Sequence, residues 1–208
     1  MKAAERTCGV DFDNTLVTYD KLLARIAVER GLIDCNHAET KKGIRDRLRQ
    51  LPNGEIEWQK CQGLLYGSRI GEAQLIEGVS RFFELARQQG TQVYIISHKT
   101  EFSPFDNFNL RTAALSWMTA NRFFESDGLG LSQNNVFFAD SRQQKIDYIA
   151  QLRCTHFIDD LEETLLEATF PPSTTRILYE PGRQMPAPAG LKLMKSWQEI
   201  NHYFFGTY

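Results

Sequence analysis

The chain predicts an α/β protein in which a parallel sheet is flanked by helices and an all-helical block interrupts the core after its first strand. Three observations carry the prediction. Short apolar runs of strand length recur at residues 93–96, 136–138, 155–158 and 176–179. Amphipathic helical stretches with short connections separate them, which argues for parallel winding with ligands at the carboxyl ends of the strands. Between about residue 20 and residue 71 the spacing is helical, with no strand signal.

Length and composition bound the rest. At 208 residues, with 42% hydrophobic and 24% charged, the chain suits one soluble globular domain, or one domain carrying an insertion, with a large core. A net charge of -2 and a pI near 6.1 give no electrostatic case for a nucleic-acid or membrane-surface partner. Cys8, Cys35, Cys61 and Cys154 show neither a C-x-x-C pair nor a disulfide-framework spacing, so they read as buried, reduced thiols. No apolar leader precedes the first strand, and no run approaches about 18 apolar residues, so a cytoplasmic location is expected.

The first strand delivers the most informative stretch, Asp11-Phe12-Asp13-Asn14-Thr15. Period-two alternation puts the two carboxylates on one side if the strand continues, or around one rim if it ends there. Like charges this close repel, so the pair needs a cation, or a proton on one member. A carboxylate held by a metal can attack phosphorus, while a partly protonated neighbour serves as general acid and then base. The competing reading of Asp-x-Asp-x-Thr is a polar turn capping a helix.

The helical block follows. Leu22, Leu23, Ile26 and Ala27 mark one helix, Ile44, Leu48 and Leu51 a second, and Trp58, Cys61 and Leu65 a third, with Gly31, Pro52-Asn53-Gly54 and Gly67 as punctuation. Its basic residues Lys41, Lys42, Arg45, Arg47 and Arg49 either attract a polyanionic substrate or form a solvated helix face.

The core resumes at Ile76. Val79, Phe82, Phe83 and Ala86 form an amphipathic helix stopped by Gly90, and residues 93–96 form a buried strand ending at Ser97, a hydroxyl at a strand end. His98 and Lys99 come next, placed either to touch a leaving group or as exposed loop residues. Residues 102–109 are aromatic-rich and read as a structured loop near the site mouth. Leu110, Ala113, Ala114, Trp117 and Met118 repeat as the face of a core helix.

Gly128-Leu129-Gly130 lacks the flanking residues of a phosphate-binding or dinucleotide loop. Ser141 is placed to cap the helix that carries Lys145. The strand at 155–158 ends at Asp159-Asp160, two adjacent carboxylates at a strand end; His156 within it reads as a core histidine. A strand at 176–179, a Pro/Gly-rich loop and a helix over Trp197, Ile200 and Phe204 close the chain without catalytic signal.

Taken in order, Asp11-Phe12-Asp13-Asn14-Thr15, Ser97, Lys145 and Asp159-Asp160 resemble the four motifs of the haloacid dehalogenase-like (HAD) hydrolase superfamily. The resemblance implies a Rossmann-like three-layer α/β/α core over residues 1–18 and 76–208, with residues 19–75 as a small helical C1-type cap that chooses the substrate. It further implies Asp11 as nucleophile, Asp13 as general acid/base, Ser97 and Lys145 as phosphoryl-binding groups, and Asp11, Asp13, Asp159 and Asp160 around Mg²⁺. An acid two residues after the nucleophile goes with phosphatases and phosphomutases of this superfamily. The expected activity is therefore hydrolysis of a small phosphorylated metabolite, such as a phosphosugar or nucleotide-like ester, with no nucleic-acid or membrane partner. A phosphomutase on the same residues and an idle binding module are the alternatives.

Overall fold

A computed structural model describes residues 6–34 and 41–206. In chain order, β1 (Thr7–Val10) and the two-residue β2 (Val17–Thr18) lead to α1 (Asp20–Glu29), α2 (Lys41–Leu48) and α3 (Gly54–Tyr66). The two-residue β3 (Gln74–Leu75) precedes α4 (Val79–Gln89), β4 (Gln92–His98) and α5 (Leu110–Ala120). Then come β5 (Val136–Ala139), α6 (Arg142–Gln151), β6 (His156–Asp159), α7 (Glu162–Leu165), β7 (Thr175–Tyr179), β8 (Leu191–Met194) and α8 (Trp197–Phe205). The described residues group into two units, Thr18–Gln74 with Thr100–Ala120 forming one and the remainder the other.

The larger unit is the expected Rossmann-like α/β fold. Its six strands are all parallel, in the order β5-β4-β1-β6-β7-β8. From β1 the core winds outward through β4 and β5, then returns to the other side of β1 at β6, so the winding direction switches beside β1. Ligands of open parallel sheets bind outside the carboxyl ends of the strands at such a switch.

Alternation along β6 shows how the two faces are filled. His156 packs on Phe204 of α8, with ring centres 4.9 Å apart. Its neighbour Phe157 points the other way, into a cluster with Ile146, Ile149, Leu165 and Phe170 under α6 and α7. On the first face Phe82 of α4 meets Trp197 and Phe204 edge-on. Gly9 pairs with Phe157 in register, and a Cβ on Gly9 would lie 2.6 Å from the Phe157 ring. Only glycine lets that ring seat against β1.

β8 is a strand that the sequence pattern does not announce. It is four residues long and follows a Pro/Gly-rich loop, but it completes the sheet edge by pairing Leu191–Met194 with Arg176–Tyr179 of β7. Cys8, Cys61 and Cys154 are buried free thiols; Cys35 lies outside the described residues. Among the described residues no helix is long and apolar enough to cross a membrane.

The smaller unit is built from α1, α2, α3 and α5. Leu22, Leu23, Ile26 and Ala27 on α1, Ile44 and Leu48 on α2, and Trp58, Cys61 and Leu65 on α3 are buried as their spacing predicts, whereas Leu51 lies beyond α2 and is half-buried. Asn53 adopts a left-handed conformation (φ 58°) before α3, and a Cβ on Gly54 would come within 2.0 Å of the Leu48 carbonyl oxygen. The Pro-Asn-Gly turn is thus required by the approach of two helices. Residues 100–120, expected in the core, group with this helical unit instead. α5 packs on α3 and on the turn at Ile70–Glu72, and the Trp117 indole N–H donates to the Ala73 carbonyl at 3.2 Å. Part of the basic cluster is engaged locally: Arg49 bonds Glu55 at 2.7 Å, Arg45 pairs with Asp46 at 3.0 Å, and Lys41 donates to the Tyr66 hydroxyl at 2.8 Å.

Candidate active site

Three adjacent strands, β4, β1 and β6, end at one edge of the larger unit, and each delivers polar side chains there. β1 ends at Val10; the Asp11 N–H still donates to the Ile158 carbonyl at 2.9 Å, which fixes Asp11 against β6. The chain then turns, with Asn14 left-handed (φ 59°) and the Leu16 N–H donating to the Phe12 carbonyl. Strand alternation therefore stops at Asp11, and Asp13 lies around the rim.

Lys145 is the centre of the charge arrangement. Ser141 caps α6, accepting from the Gln144 N–H at 3.1 Å, and one turn later the Lys145 ammonium donates to Asp11 Oδ1 and Asp159 Oδ2, both at 2.7 Å. All three side chains are buried, Asp159 completely. Burial opposes the charge on Lys145, but Asp11 and Asp159 outweigh it and hold its pKa above the ordinary lysine value. For Asp11 the balance runs the other way. Burial raises its pKa, Lys145 opposes this, Asp159 and Asp13 add to it, and the carboxyl is left at about 7. Burial above all, with the neighbouring carboxylates, outweighs the one ammonium bonded to Asp11.

One oxygen from each of Asp11, Asp159 and Asp160 lies within 4.8 Å of the others. An all-carboxylate set in this compass suits a hard divalent cation, which prefers oxygen ligands. Asp13, expected among the metal ligands, stands outside this group. Its carboxylate is paired with Lys99 Nζ at 2.7 Å, because the turn after Asp11 carries it off the β1 line. Lys99 is only 4% exposed.

Ser97 lies in β4, two residues beyond the Ile95 that pairs with Val10 of β1. Its hydroxyl is buried and has no hydrogen-bond partner among the described residues; the Thr15 hydroxyl shares that condition. A buried polar atom without a partner calls for explanation, and a ligand is one. His98 is exposed at the strand end. His156 is remote in role, bonded through Nδ1 to Thr155 at 2.9 Å and stacked on Phe204.

Neither a family model nor a curated protein matches this sequence. Solved structures do match by shape. A HAD-hydrolase, YfnB of Bacillus subtilis bound to magnesium, aligns over 98% of this chain and 100% of its own, with TM-score 0.64 and 14% identity. The haloacid dehalogenase-like protein SP0104 of Streptococcus pneumoniae aligns over 96% and 98%, with TM-score 0.63 and 14% identity. A HAD family hydrolase of Deinococcus radiodurans with bound phosphate and sodium aligns over 98% and 96%, at 0.57 and 16%. Dehalogenases are also among the similar structures. At such identities the likeness speaks for architecture: the chain has the fold of the haloacid dehalogenase-like hydrolase superfamily.

Proposed function

We propose that this protein is a Mg²⁺-dependent phosphomonoester hydrolase working through an aspartyl-phosphate on Asp11. The observation that carries the reading is the charge arrangement. Lys145 bonds Asp11 and Asp159, Lys99 bonds Asp13, and one oxygen from each of Asp11, Asp159 and Asp160 lies within 4.8 Å of the others, a concentration of carboxylates that suits a divalent cation. Asp11, Asp159 and Asp160 would hold the ion, which when bound supplies positive charge against the phosphoryl oxygens. That one similarly folded hydrolase is bound to magnesium and another to phosphate agrees with this.

The remaining steps belong to the chain's own residues. Asp11 attacks phosphorus as the bond to the leaving oxygen breaks, and Asp13 gives that oxygen its proton. Asp13 then takes a proton from water, whose oxygen attacks the aspartyl-phosphate and releases inorganic phosphate, restoring Asp11. Ser97, with its unsatisfied buried hydroxyl, and Lys145 bind phosphoryl oxygens. The acid two residues after Asp11 favours phosphoryl chemistry over dehalogenation, since it supplies the proton that an alkoxide leaving group needs.

These groups address only the phosphoryl group, so we assign the choice among phosphosugars, nucleotide-like esters and other small esters to the helical unit. Phosphate release across a panel of phosphometabolites with Mg²⁺ tests the reading. Release that disappears in Asp11→Asn supports it; no release from any ester overturns it, and transfer without release would make the protein a mutase.

A further inference from the structure

Among the described residues, Lys99 is a buried charge to which the catalytic scheme gives no step of its own. Lysines are almost never fully buried unless paired, and taking an ammonium from water costs several kcal/mol. Here the cost is borne at a defined place. The Lys99 N–H donates to the Ala139 carbonyl at 3.0 Å, prolonging the β4–β5 pairing, and its ammonium sits 5.8 Å from the centre of the Phe12 ring. Phe12 is itself wholly buried between Asp11 and Asp13. The ammonium reaches Asp13 Oδ2 at 2.7 Å.

A buried ion pair is a poor device for stability, because apolar residues of similar volume usually serve as well. It is a good device for orientation. Lys145 already serves Asp11 and Asp159, so the two lysines divide the carboxylates between them. Building on the acid/base role read for Asp13, we propose that Lys99 is the positioning residue of that carboxyl group. It holds one oxygen so that the group meets the leaving oxygen, and later the water, in a fixed geometry. Lys99 exchanges no proton in this scheme; its effect reaches the reaction only through Asp13. Orientation of this kind lowers a barrier by restricting the reacting groups beforehand.

Leaving-group dependence tests the proposal. A primary alkyl phosphate needs a proton on its leaving oxygen, whereas para-nitrophenyl phosphate does not. Lys99→Met, which keeps the buried stem, is expected to lower kcat/KM on the alkyl ester about 100-fold, the scale of general acid catalysis, and on the nitrophenyl ester less than about 5-fold. Asp13→Ala should show the same bias. The double variant should fall no further than Asp13→Ala alone, since the two residues act as a unit. Lys99→Arg should recover part of the alkyl rate. If Lys99→Met does not fold, Lys99→Gln enters the same comparison. Equal losses on both esters, or losses that multiply with those of Asp13→Ala, overturn the positioning role. An Asp13→Ala variant without leaving-group bias would instead remove the acid role of Asp13, the reading beneath it.

Discussion

The indole N–H of Trp197 donates to the carbonyl oxygen of Thr15 at 2.8 Å, tying the last helix of the chain to the loop that carries Asp13. Trp197 is completely buried and packs on Phe82 at 5.1 Å. The closing helix thus contributes a hydrogen bond to the loop that carries Asp13.

Trp197→Phe keeps an aromatic ring but leaves the Thr15 carbonyl unsatisfied. An orphaned buried acceptor costs about 1–3 kcal/mol, which in a chain of this size lowers Tm by roughly 2–12 °C. Turnover should fall with it because the Asp13 loop loses its anchor. Thermal denaturation and kcat on one phosphoester check both; an unchanged Tm would remove the anchoring role.

Asp11→Asn should abolish turnover, since the amide cannot act as an anionic nucleophile. Its stability carries a second signature in the absence of metal. Folding lifts Asp11 from its ordinary 3.8 to about 7, through burial first and then Asp159 and Asp13 against Lys145. A carboxyl that binds its proton more tightly when folded makes the protein lose stability as pH rises from 3.8 to about 7, with the full loss present above that. Asparagine has no such loss. The Tm of Asp11→Asn relative to the unsubstituted protein should therefore climb across that window and level off above it. A flat difference in chelator, measured from pH 4 to pH 8, would contradict the balance of charges at Asp11.

Mg²⁺ should raise the Tm of chelator-treated protein. A ligand that binds only the folded state stabilises it by about 2.7 kcal/mol at a hundred times its Kd. Asp159→Asn should lose most of that increment, whatever its own starting Tm, because Asp159 supplies one of three clustered oxygens. A full increment in the variant would show that the ion binds elsewhere.

Gly9→Ala adds a methyl group against the Phe157 ring and the Cys154 thiol, where a Cβ would stand at 2.6 and 3.0 Å. Overpacking of this sort costs about 1–3 kcal/mol. Denaturant unfolding measures it; a loss under about 0.5 kcal/mol, within the range of surface changes, would mean that the ring yields freely.

Much of the fold was readable because its signals are local. Alternating strand and helix patterns, Gly90 at the end of α4 and Ser141 at the start of α6 depend only on neighbours in sequence. The acidic side chains at the strand ends were readable for the same reason. Lys99 was not, because a lysine after a strand looks solvated until the sheet sets β1 beside β4 and so brings Phe12 and Asp13 to it. The bond from Trp197 to Thr15 spans 182 positions, beyond any pattern. α5 presented its apolar face clearly, but periodicity says that a face is buried and not which helices bury it.

The shared burial of α5 constrains how proteins of this fold can be recombined. The helical unit is not one cassette, since the stretch after β1 and the stretch after β4 share a single interior, with Trp117 of the second bonded to Ala73 of the first. Exchanging residues 18–74 with those of a similarly folded protein would strand α5 beside a foreign partner. Transplants that carry both stretches together keep the interior whole, so chimeras made at four junctions should fold where those made at two do not.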